Sequence, residues 1–211
     1  MSSSQRPTAL LVDFDGVLRT FDASINAKIE QRYGLEPGTV LETALEWDRL
    51  LPAITGRITR AEWLATVADT LADRVGGPQR AAELMDEWVV YPGAIDPQVL
   101  RFVRDVRAAG HPVAVATNST AEFRDVLESF GLTDEFDAVA NSAELGVHKP
   151  AKEYFAAACA LLATPPSRCM LVDDIDRMIR GARAAGLTAY RYEPGDDLSY
   201  PRRAFGLPSA A

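Results

Sequence analysis

The chain has 211 residues, 47% of them hydrophobic and 25% charged, with a formal net charge of -8. That balance suits a folded domain with a sizeable core, and an acidic chain with no basic stripe argues against nucleic acid as a partner. No apolar run approaches the roughly 20 residues of a membrane span, and none precedes Ala9 as a leader would, so no membrane association and a cytoplasmic location are expected.

In chain order, Ala9 to Val12 is a short aliphatic run that reads as a buried strand, and it ends on Asp13 and Asp15, followed by Gly16. Two carboxylates closing an apolar strand ask for a partner, because an unpaired buried charge is costly. Taken alone, the pair also suits a turn or a helix cap.

The next seventy residues read as helices. Asp22 to Tyr33 stops at Gly34, and Val40 to Leu51 is a second helix ended by Pro52. Thr59 and Glu62 have capping-box spacing ahead of a third, and a fourth covers Gln79 to Trp88 after the break at Gly76, Gly77 and Pro78. All three tryptophans, Trp47, Trp63 and Trp88, fall in this set and are assigned mainly to helix packing. Residues 21–88 are therefore expected to form a helical module between a core made of residues 1–20 and 89–211.

From Tyr91 helices and strands alternate. Asp96 before Pro97 starts a helix that ends at Gly110; Pro112 to Thr117 is a strand; Thr120 to Phe130 is a helix; Phe136 to Ala140 is a strand. Ala151 to Ala163 is a helix, Cys169 to Val172 a strand ending on Asp173 and Asp174, Arg177 to Ala185 a helix, and Thr188 to Tyr192 an edge strand. This succession predicts an α/β fold with a parallel sheet covered on both faces. The polar tail from Glu193 reads as a loop or as partly disordered. Cys159 and Cys169 sit in apolar surroundings and read as buried free thiols.

Right-handed crossovers put the carboxyl ends of parallel strands on one edge of the sheet. Asp13 with Asp15, Thr117 with Asn118, Lys149, and Asp173 with Asp174 all fall at those ends or just beyond them. The carboxylates can hold a hard divalent cation such as magnesium, Lys149 supplies a point charge for a phosphoryl oxygen, and one aspartate is left to attack phosphorus.

The motifs DFDGVL from Asp13, ATNS with Thr117, HKP with Lys149 and VDDIDRMIRGARAAG with Asp173 and Asp174 come in an order that resembles the haloacid dehalogenase-like superfamily of hydrolases, phosphatase branch, over residues 8–192. The resemblance implies a Rossmann-like three-layer core of five parallel strands in the order 5-4-1-2-3 with an inserted all-helical cap. It implies Asp13 as nucleophile, Asp15 as general acid and base, and Thr117, Asn118 and Lys149 on the phosphoryl group. Asp13, Asp15, Asp173 and Asp174 are the implied metal residues, with Mg2+ as cofactor. The expected activity is magnesium-dependent hydrolysis of a small phosphorylated metabolite, a phosphate monoester. A phosphomutase and a non-catalytic phosphometabolite-binding protein are the alternatives, and monomer and homodimer both stay open. One departure stands out: Met178 occupies a position where relatives with paired aspartates often carry asparagine, and it lacks the amide's donor and acceptor. Arg49, Arg57 and Arg60 in the cap are candidate substrate contacts, and His148 is read as a loop or rim residue.

Overall fold

The computed structural model describes residues 6–208; the expectation that residues 1–5 carry no apolar leader lies outside the described residues. The chain starts with β1 (Ala9–Val12), makes a short excursion through β2 (Arg19–Thr20), and then enters five helices: α1 (Ala23–Arg32), α2 (Thr39–Ala44), α3 (Trp47–Ile54), α4 (Arg60–Val75) and α5 (Pro78–Trp88). It returns through β3 (Ala94–Ile95), which pairs antiparallel with β2. Alternating elements follow: α6 (Pro97–Ala108), β4 (Val113–Thr117), α7 (Phe123–Ser129), β5 (Ala138–Asn141), α8 (Ser142–Leu145), α9 (Lys152–Leu161), β6 (Cys169–Asp173), α10 (Asp176–Ala184), β7 (Thr188–Arg191) and α11 (Ser199–Ala204).

The main sheet is parallel, in the order β5-β4-β1-β6-β7. Read along the core strands, this is the 5-4-1-2-3 arrangement that the motifs implied. Strand side chains alternate between faces. Leu10, Val12, Val113, Val115, Met170 and Val172 join the layer under α6 and α7, with Phe102, Val103, Phe123 and Leu127. Ala9, Leu11, Ala114, Ala116, Cys169 and Leu171 join the opposite layer, with Tyr154, Phe155 and Ala158 of α9 and Ile179 of α10. β1 is completely buried on both faces, which is why its sequence is an unbroken apolar run.

The inserted helices hold a third, separate core of Ile29, Leu35, Val40, Val67, Leu71, Val75, Leu84 and Met85. The capping box at Thr59 and Glu62 forms as expected, and Asp22 and Asp96 cap α1 and α6. The single helix expected over Val40 to Leu51 is instead two. Glu46 is extended (φ -56°, ψ 129°), so α3 starts afresh at Trp47 and carries Pro52 inside it. The break falls where the packing partner changes: Val40 and Ala44 face the cap core, whereas α3 also meets α8 of the main domain. Pro52 lacks the N–H that would bond to the Asp48 carbonyl four residues back, so packing of α3 against α4 and α8 holds this helix in place of that bond.

The tail also differs from expectation. Leu198 and Phe205, at either end of α11, pack into the main core, and the largely buried Arg202 pairs with Asp105 of α6 at 2.8 Å, so tertiary contacts order a segment whose sequence is polar. Among the described residues no helix is long and apolar enough to cross a membrane.

Candidate active site

The loop after β1 is shaped from below. Phe14, Val17 and Leu18 are fully buried, Phe14 stands edge-on to Phe123 at 5.0 Å, and the Arg19 N–H donates to the Phe14 carbonyl at 2.7 Å. These anchors hold Asp13 at the sheet edge, where the Phe14 N–H donates to its Oδ1 at 2.8 Å. Asp173 closes the neighbouring strand β6, and its Oδ1 accepts from the Ile175 N–H at 3.0 Å. Lys149, 2% exposed, spans the two: its Nζ lies 2.9 Å from Asp13 Oδ2 and 2.6 Å from Asp173 Oδ2. Burial works against the ammonium, yet the two carboxylates outweigh it and raise the lysine above its ordinary range. Burial likewise pushes the Asp13 carboxyl up, with Lys149 opposing.

Asp174 completes the cluster. Carboxylate oxygens of Asp13, Asp173 and Asp174 lie within 4.8 Å of one another. Burial and then the charge of Asp173 raise the Asp174 carboxyl, and its Oδ1 is buried without a hydrogen-bond partner. Three hard-oxygen carboxyls face one ammonium, and one buried oxygen among them is unsatisfied; both facts fit a divalent cation such as magnesium. Gly16 makes room for this arrangement. At φ +88° a Cβ there would overlap Asp174 Oδ2 and stand 2.7 Å from its Cγ.

The other expected residues divide. Thr117 is buried at the end of β4, beside the cluster-bearing strand β1. Asn118 brackets the Lys149 main chain: its Oδ1 accepts from the Lys149 N–H at 2.8 Å and its Nδ2 donates to the Lys149 carbonyl at 3.0 Å. Asp15 lies outside the carboxylate cluster, with Oδ1 2.6 Å from Arg19 Nε and a side chain 45% exposed. Arg19 is held in turn between the rings of Phe14 and Phe21, 4.8 and 4.9 Å from their centroids. The sequence reading missed Arg19, the bracketing role of Asn118 and the steric need for Gly16; the glycine directly after the aspartate pair was the only local signal. His148 accompanies the site at its rim, where its ring meets Trp47 of the cap. Of the cap arginines, the Arg49 guanidinium pairs with Glu46, and it is the main-chain N–H of Arg60 that donates to Glu122 of the main domain, at 3.2 Å.

Residues 7–186 match the haloacid dehalogenase-like hydrolase family, and the chain belongs to it. It is 32% identical over 133 residues to a phosphoserine phosphatase of Thermus thermophilus, covering 60% of this chain and 53% of that protein. It is 26% identical over 199 residues to a phosphatase of Mycobacterium tuberculosis, covering 87% and 86%. The chain thus spans about half the length of the first relative and most of the second. A haloacid dehalogenase family enzyme from Bacteroides thetaiotaomicron, solved with magnesium and inorganic phosphate, superposes with a TM-score of 0.71 at 19% identity, over 92% of this chain and 98% of that one. At that identity the likeness is one of fold.

Proposed function

We propose that the protein hydrolyses a small organic phosphate monoester, with magnesium, through an aspartyl phosphate on Asp13. The observation that carries this reading is Lys149 Nζ set between Asp13 and Asp173, with Asp174 alongside. A carboxylate so placed keeps its charge compensated while an oxygen attacks phosphorus. The P–O bond to the leaving group breaks as Asp15 gives that oxygen a proton; water then attacks the phosphoryl group, Asp15 takes a proton back, and phosphate leaves Asp13. To do this Asp15 turns from Arg19 toward the leaving group. Lys149 and Thr117 neutralise and orient the phosphoryl oxygens, and Asn118 acts by fixing the lysine main chain. Asp13, Asp173 and Asp174 would hold magnesium, which when bound would supply positive charge to the phosphoryl group.

Residues 21–88 act in this reading as a cap that excludes bulk water and contacts the leaving group. The free thiols Cys159 and Cys169 suit a reducing compartment and support a cytoplasmic location. The test is a panel of phosphate monoesters assayed with and without magnesium, with acid trapping of protein-bound phosphate. Magnesium-dependent phosphate release and label on Asp13 are expected; folded protein that turns over no ester sinks the reading. An isomerised phosphosugar without matching phosphate release would replace hydrolysis by phosphoryl return to the substrate.

A further inference from the structure

The three tryptophans have different surroundings. Trp63 and Trp88 pack against the cap core, and the Trp63 indole N–H donates to the Ala44 carbonyl at 3.1 Å. Trp47 belongs to none of the three cores and is 44% exposed. The extended backbone at Glu46 ends the preceding helix and sends Trp47 toward the main domain. There its ring meets that of His148, centroids 5.2 Å apart and planes at 74°, and the Arg177 guanidinium carbon lies 5.9 Å from its centroid.

One partner lies in the loop that carries Lys149 and the other in the first turn of α10, just after Asp173 and Asp174. His148 precedes Lys149, and its Nδ1 is 2.8 Å from the Lys149 carbonyl oxygen. Arg177 lies just past Asp173 and Asp174, and Ile175 between them leaves a 46% exposed aliphatic side chain. An indole resting on both partners therefore lies beside the segments that carry Lys149 and Asp174, with almost half its surface open. It offers a flat, polarisable apolar face, and a leaving group gains most from it by stacking a ring there.

We propose that Trp47 determines leaving-group specificity and selects phosphate esters of aromatic alcohols over those of acyclic polyols. This rests on the phosphate-ester reading above. Wild type, Trp47→Ala and Trp47→Phe would be compared on phenyl phosphate and glycerol 3-phosphate with magnesium. In Trp47→Ala the ratio of kcat/KM for phenyl phosphate to that for glycerol 3-phosphate should fall about 10-fold or more, through KM for the aryl ester, as expected for loss of an aromatic stacking partner. Trp47→Phe, which keeps a ring, should recover most of the ratio. An unchanged ratio, or equal losses on both esters, overturns the assignment while leaving the hydrolase reading in place. A folded wild type that hydrolyses other monoesters of the panel but not phenyl phosphate overturns the assignment alone, and one that turns over no ester of the panel overturns both.

Discussion

Asp15 Oδ1 and Arg19 Nε are 2.6 Å apart, so the carboxyl expected to protonate the leaving group is held by a guanidinium that is itself sandwiched between Phe14 and Phe21. Phe21 packs edge-on to Tyr91, 6.2 Å between centroids, and Arg19 Nη1 donates to the Pro92 carbonyl at 3.5 Å, so Arg19 touches both segments of chain that join cap and core. Asp15→Asn should lower phosphate-ester turnover by ~100-fold or more, the usual scale for losing a general acid, with magnesium affinity little changed because Asp15 stands outside the carboxylate cluster. Steady-state kinetics beside a magnesium titration would check both parts. Arg19→Ala should cost about 0.5–1 kcal/mol for each ring it leaves, read as a lower denaturant midpoint.

Lys149→Met leaves Asp13 and Asp173 buried with no cation between them. The expected loss is roughly 3–5 kcal/mol of stability in metal-free buffer. Because the variant cluster is more negative, saturating magnesium should restore a larger share of stability to it than it adds to wild type. Urea unfolding of both proteins with and without magnesium decides this; a variant as stable as wild type without metal would show that the lysine is not compensating those carboxylates. Turnover should fall by ~100-fold or more even with metal present.

Gly16→Ala inserts a Cβ into the space of the Asp174 carboxylate and forces a left-handed backbone on alanine. Magnesium affinity should drop by about 10-fold or more, the range for disturbing a metal ligand's support. Gly34→Ala is the control: its φ is +75° but no atom lies within 4 Å of the added Cβ, so it should show the backbone cost of ~1 kcal/mol alone. Calorimetric titration with magnesium separates the two, and equal affinities in both variants would refute the steric account.

The Tyr192 hydroxyl donates to Asp96 Oδ2 at 3.0 Å, the carboxylate that caps α6. Burial first, and then this bond, push the hydroxyl from 10.0 up to about 12. The folded protein therefore holds this proton more tightly than the unfolded chain does. Its contribution is complete below pH ~10 and is lost as pH rises from about 10 to about 12. Tyr192→Phe should lower stability at neutral pH by ~1 kcal/mol and remove this part of the alkaline decline. Since Tyr190 is also raised to about 12, the quantity to follow is the wild-type minus variant difference across pH 8 to 12.

Much of this protein was legible because the forces concerned act over a few residues. Four short runs marked β1, β4, β5 and β6, Asp22, Thr59 and Asp96 marked helix starts through caps that lie within three residues of the N–H groups that donate to them, and the polar residues at the strand ends followed from parallel topology. What only the tertiary structure decided depends on groups remote in the chain. α3 starts afresh where, besides the α4 it shares with α2, it meets α8 of the main domain, and α11 forms because Arg202 finds Asp105 and Phe205 finds the core. Asn118 is joined to the main chain of Lys149, 31 residues on, by a pair of hydrogen bonds that its own neighbourhood does not offer. Asp15 is drawn to Arg19, only four residues away, yet that guanidinium is in place because Phe14 is buried and Phe21 lies at the cap junction. Local propensity and periodicity set the elements and the edge on which the carboxylates gather; which of them pair, and which is left with an unsatisfied oxygen, is set by burial and by charges that only folding brings together.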